Sequence, residues 1–98
     1  MFITHEMLRE KKPCQSGYKR FCELFPNGSE YQAALDGLIA DDHIDWAEWL
    51  LNKFGKTDDV LELEEFNGKA LIFAGSIKVK KFIQVDFKLI AGCGMLLG

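Results

Sequence analysis

The densest run of reactive side chains in this sequence is Asp41-Asp42-His43, with Asp45 two residues on. Carboxylates beside an imidazole can perform acid–base work when they converge in a cleft. Adjacent residues at the start of a helix instead cap it and stay solvated, and the cap is the expectation here. Asp58-Asp59 reads as a turn, and Glu62, Glu64 and Glu65 as the outward face of a strand. Ser16 and Ser29 have no His-Asp pattern near them, so no serine nucleophile is expected. Gly75 and Gly92-x-Gly94 do not form a phosphate loop, because no GxxxxGK[ST] follows a strand and opens a helix.

The three cysteines, Cys14, Cys22 and Cys93, are 8 and 71 residues apart, and the histidines are His5 and His43. Zinc would ask for a CxxC pair or a clustered Cys/His set. An odd, scattered set of thiols suits a reducing compartment. No metal, cofactor or catalytic set is therefore expected. Lys78-Val79-Lys80-Lys81 beside Phe82 is a basic patch that touches phosphates in some proteins. With a pI near 5.3, a charged strand face that blocks aggregation accounts for it better, and nucleic acid is not the expected partner.

Charge is unevenly spread. Residues 36–65 hold ten carboxylates against two lysines, and residues 66–98 hold five lysines against one aspartate. An acidic middle attracts basic partners and speeds their encounter. The candidate partner-binding residues are Asp42, Asp45, Glu48 and Trp49, the last as an exposed aromatic anchor among acids.

These groups need elements to carry them. At 98 residues the chain has room for a single domain. It divides into an arm (1–13), a helical part (14–55) and a short-stranded part (58–98). Pro13 stops the arm, which is expected to be loose or to pack late. Tyr18, Phe21, Cys22, Leu24 and Phe25 mark the apolar face of a first helix, ended by Pro26-Asn27-Gly28. Ser29-Glu30-Tyr31-Gln32 has the form of a capping box. It precedes a second helix striped by Tyr31, Ala34, Leu35, Leu38 and Ile39. Ile44, Trp46, Ala47, Leu50, Leu51 and Phe54 define a third, terminated at Gly55.

After Gly55 the period changes. Val60, Leu61 and Leu63 alternate with Glu62 and Glu64, as in a strand, and Asn67-Gly68 signals a tight turn. Leu71, Ile77, Ile83, Leu89 and Met95 then recur every six residues, as do Phe73, Val79, Val85, Ala91 and Leu97. Two inward apolar positions per six residues suit a parallel β-solenoid, with one short strand on each side of a triangular coil of about 18 residues. The alternative is an antiparallel meander, which Asn67-Gly68 favours. The fold class is thus α+β: three N-terminal helices followed by short strands.

No apolar run reaches the roughly 18 residues that span a bilayer. The start, Met1-Phe2-Ile3-Thr4-His5-Glu6, lacks a basic region followed by an apolar stretch. A cytoplasmic location follows as the expectation.

The run Phe25-Pro26-Asn27-Gly28, Tyr31-Gln32, Asp45-Trp46-Ala47 and Trp49-Leu50-Leu51, followed by Phe73-Ala74-Gly75-Ser76-Ile77 and Ile90-Ala91-Gly92-Cys93-Gly94, resembles small bacterial proteins, several in phages and prophages. In those relatives the Ala-Gly-x-Gly unit is often repeated in tandem, whereas here it occurs once. The hexad tail is also similar to bactofilin coils through its generic apolar spacing. The resemblance implies no particular chemistry. Together with the acidic middle it points to a non-enzymatic protein-binding module. A concrete version is a phage-derived inhibitor of a host defence complex, such as an anti-CRISPR protein, whose acidic face would fill a groove meant for nucleic acid. The other expectation is a structural module that self-assembles through open strand edges into a homo-oligomer.

Overall fold

The first thirteen residues are built into the fold. Phe2–Ile3 form strand β1, and His5–Glu10 form helix α1. Thr4 caps α1, its Oγ1 accepting from the Met7 amide at 3.1 Å, which satisfies one orphan N–H of the first turn. Ile3 and Leu8 are fully buried. The expected loose arm is thus replaced by a fourth helix and an edge strand. The computed structural model describes residues 1–97, with side chains to Met95. Gly98 and the expected inward side chain of Leu97 lie outside the described residues.

Helix α2 spans Gln15–Leu24, strand β2 Ser29–Glu30, helix α3 Tyr31–Ala40 and helix α4 Ile44–Phe54. β1 and β2 pair antiparallel, Phe2 opposite Glu30 and Ile3 opposite Ser29. The stripe on α3 buries Tyr31, Ala34, Leu35 and Leu38, and α4 buries Ala47, Leu50 and Leu51 against it. Gly55 ends α4 at φ +85°, its N–H reaching the Leu51 carbonyl at 2.8 Å. Its own carbonyl accepts the Tyr31 hydroxyl at 2.6 Å, and burial pushes that phenol up to about 12.

The capping box does not form. Ser29 belongs to β2 and its Oγ donates to the Glu30 carbonyl, while Glu30 precedes α3 without a side-chain cap bond. Gln32 works elsewhere. Its Nε2 donates to the Ile72 carbonyl at 2.8 Å and its Oε1 accepts the Ala74 amide at 3.2 Å. The carboxamide stands where the peptide group of a neighbouring strand would.

Strand β3 covers Val60–Phe73, β4 Ser76–Ala91 and β5 Met95–Leu97. Both pairings, β3 with β4 and β4 with β5, are parallel, which overturns the antiparallel meander. Asn67-Gly68 is not a turn but lies inside β3, opposite Gln84 and Val85. Partners are 16 residues apart at Leu61 and Ile77, 17 at Phe66 and Ile83, and 18 at Leu71 and Leu89. A straight strand of fourteen residues would run about 46 Å, longer than the greatest extent of the molecule, 40 Å. β3 therefore bends, at register shifts between Leu63 and Glu65 and between Gly68 and Ala70.

Side chains alternate along these strands. Ile77 and Val79 are buried and alternate with exposed Lys78 and Lys80. Leu71, Ile83, Val85 and Leu89 are half-buried, and Met95 is exposed. Ile72 and Ala74 face the other way and complete the helical core, so both halves of the chain share one apolar cluster. Two glycines make the close stacking possible. A Cβ on Gly75 would lie 2.0 Å from the Asp59 carbonyl oxygen, and one on Gly92 would lie 2.2 Å from that of Ala74.

Candidate functional site

A cleft of about 250 Å³ opens between the α1–α2 junction and α4. Leu8, Pro13, Cys14, Gly17 and Phe21 form one wall; Leu38, Asp45, Trp46, Trp49 and Leu50 form the other. The local sequence explains its shape. Pro13 stops α1, so the chain turns and α2 begins two residues later. Gly17 faces Trp46, and a Cβ there would sit 3.6 Å from the indole and 3.1 Å from Cys14 Sγ; hydrogen leaves that space open. On α4 a spacing of three sets Trp46 and Trp49 on one side of the helix, and both are half-buried.

The Trp46 indole is held from behind. His43 stacks on it with centroids 3.7 Å apart and rings 12° from parallel. His43 Nε2 lies 3.5 Å from an Asp41 oxygen. Asp41 in turn accepts two bonds from Arg20, Nε at 2.8 Å and Nη2 at 2.7 Å. This forked pair has the geometry that makes arginine–carboxylate contacts strong. The hydrogen bonds from Arg20 hold the Asp41 carboxyl below its usual range, against an opposing push from burial. The chain Arg20–Asp41–His43–Trp46 thus ties α2 to the start of α4. Trp49 has Lys53 over its ring, the ammonium 5.9 Å from the centroid.

The four sequence candidates separate. Asp45 and Trp49 both line the cleft, Asp45 exposed in the first turn of α4, where a carboxylate suits the helix dipole. Asp42, at φ +62°, pairs with Lys69 of β3, and Glu48 pairs with Lys88 of β4 at 3.3 Å. Those two carboxylates are matched by the chain's own lysines, so the acidic middle and the basic end partly neutralise one another. Asp45 joins no ion pair among the described residues.

Sequence reasoning left Trp46 without a site role and missed Leu8, Pro13, Cys14 and Gly17 altogether. The triplet spacing of the tryptophans is the one local signal for the cleft. Among the described residues no three His, Cys, Asp or Glu side chains gather to hold a metal ion. All three cysteines are free, with Cys14 at the cleft and Cys93 donating its thiol to the Thr57 carbonyl at 3.0 Å. No helix among the described residues is long and apolar enough to cross a membrane.

No curated protein and no solved structure matches the chain. Residues 1–57, which carry every wall of the cleft and end just before the long strands, match the YdhT N-terminal domain, and by that match over more than half its length the chain belongs to this family.

Proposed function

We propose that the chain is a non-enzymatic module that acts by binding another protein, with the cleft between α2 and α4 as its contact. The observation that carries this reading is an open apolar cleft with two indoles in its wall and an unmatched carboxylate at its rim. Tryptophan is the residue type most enriched where binding energy concentrates, and concave apolar sites with few polar groups are the usual places for ligands. The narrower version, a phage-derived inhibitor of a host defence complex such as an anti-CRISPR protein, draws on the acidic surface. With Asp42 and Glu48 paired internally, it rests mainly on Asp45.

The test is affinity capture from the native bacterium with the parent chain and with a Trp49→Ala/Asp45→Lys variant whose circular dichroism matches the parent. A partner held by the parent and lost by the variant supports the reading. A partner held equally by both refutes the cleft as the contact.

A second reading, a structural module that self-assembles, has its own support. Parallel partners 16 to 18 residues apart, joined by the two-residue link Ala74-Gly75, agree with a β-solenoid whose coil has three sides. One edge of β3 is already met by the Gln32 carboxamide of α3. The edge of β4 beyond β5 has no such cover among the described residues, and exposed strand edges recruit other strands. Addition at one end alone stops at a pair of copies joined tail to tail, rather than a filament. Sedimentation velocity across a concentration series decides: a dimer supports this reading, and a strict monomer at the highest concentration or an open-ended polymer sinks it.

A further inference from the structure

We propose that the α2–α4 cleft receives one basic side chain, lysine or arginine, of the partner protein. This inference rests on the reading of the cleft as the partner's contact and adds the chemistry of what enters it. A space of about 250 Å³ takes one long side chain, not a helix. Pro13, Trp46 and Trp49, each half-buried, offer apolar surface to methylene groups above a buried floor of Leu8, Phe21 and Leu50, and lysine and arginine stems bury along such surface while their heads stay wet.

The head group is specified by what stands at the rim. Asp45 is exposed and free of any ion pair among the described residues, whereas Asp41, Asp42 and Glu48 are each matched by a cation of the chain itself. Asp45 is therefore the cleft carboxylate left to complement, beside two indoles that already hold His43 and Lys53 against their rings and whose faces attract cations. The fold already makes this contact once, with Lys53 over Trp49. A side chain lying along the open cleft, stem on the apolar wall and head at Asp45, uses all three features. A leucine or phenylalanine would use only the first.

The test titrates the full ¹⁵N-labelled chain with Nα-acetyl-lysine methylamide, Nα-acetyl-arginine methylamide and the uncharged Nα-acetyl-norleucine methylamide, following the two indole N–H signals. Trp49→Phe assigns them. The cationic probes are expected to shift both indole signals and to bind about fivefold more tightly than norleucine, the size of one charge-assisted contact at an exposed rim. Asp45→Asn, at an exposed position, is expected to erase that preference and leave norleucine binding unchanged. Gly17→Val, which fills the cleft, is expected to abolish binding of all three probes. Norleucine binding as tightly as lysine, a preference that survives Asp45→Asn, or indole signals that no probe moves would each overturn the proposal. If a protein partner is captured through the cleft while norleucine equals lysine, the partner reading stands and this inference falls. A cationic preference without any captured partner is the reverse case.

Discussion

Replacing Gln32 by leucine tests how the helical and stranded halves are joined. The carboxamide makes two bonds to the backbone of β3 and the residue after it, to the Ile72 carbonyl at 2.8 Å and from the Ala74 amide at 3.2 Å. A third, from Nε2 to Asp36 Oδ1 at 3.0 Å, holds the amide plane in place. Ile72 and Ala74 are 0% and 3% exposed, so water cannot readily replace the lost partner. Each stranded backbone group costs about 1–3 kcal/mol, and the added apolar surface of leucine returns roughly 1 kcal/mol. With two groups stranded the expected net loss is about 1–5 kcal/mol, which in a domain of this length lowers the Tm by on the order of 4–40 °C. Thermal unfolding by circular dichroism reads the loss, and hydrogen exchange at the Ala74 amide locates it. Gln32→Glu keeps an acceptor for Ala74 but removes the donor and sets a carboxylate beside Asp36. It is expected to be as damaging at neutral pH and to recover in part on acidification. A Gln32→Leu protein that melts within about 2 °C of the parent, or an Ala74 amide that exchanges at the parental rate, would show that the carboxamide does not bind the halves together, whatever its distances.

Other expectations follow from single contacts. Gly75→Ala and Gly92→Ala drive a methyl against a backbone carbonyl at 2.0 and 2.2 Å, and each is expected to cost about 3 kcal/mol in denaturant unfolding. Leu35→Ala, at a fully buried position on α3, should cost about 2–5 kcal/mol by the same measurement. Asp41, whose carboxyl is lowered by Arg20, binds its proton more weakly folded than unfolded. Its contribution is therefore complete above the ordinary carboxylate pKa of about 4 and is lost as pH falls through the lowered folded value. Asp41→Asn should flatten the acid limb of a stability–pH curve and leave its neutral limb parallel to the parent's.

Helices α3 and α4 were legible because their apolar residues recur at helical spacing along ten or more residues, and tertiary packing uses that same face. The opening segment was not. A six-residue helix shows too little periodicity, and the burial of Ile3 follows from β1 pairing with β2 across almost thirty residues of sequence. Ser29 and Gln32 carry the letters of a capping box, but a strand edge competes for Gln32 and wins, since a bond to a buried carbonyl is worth more than one to a wet amide. Asn67-Gly68 misled for a similar reason, because turn propensity is local and the parallel pairing of β3 with β4 is not. Half of the cleft could be inferred from Trp46 and Trp49. Its other wall comes from Leu8, Pro13 and Gly17, which acquire their roles only when α1 and α2 fold over α4. Charge along a chain does not reveal which acids will meet its own lysines, as Asp42 meets Lys69 and Glu48 meets Lys88.

The contacts of Gly75 and Gly92 also limit how such a chain can grow or shrink. Each meets the backbone of a residue 16 or 18 positions upstream, and side chains between them alternate in and out with period two. An insertion of a few residues in the strands would push a bulky side chain into the place reserved for hydrogen and turn greasy groups toward water. Length changes that leave both contacts intact must therefore fall outside the spans from Asp59 to Gly75 and from Ala74 to Gly92.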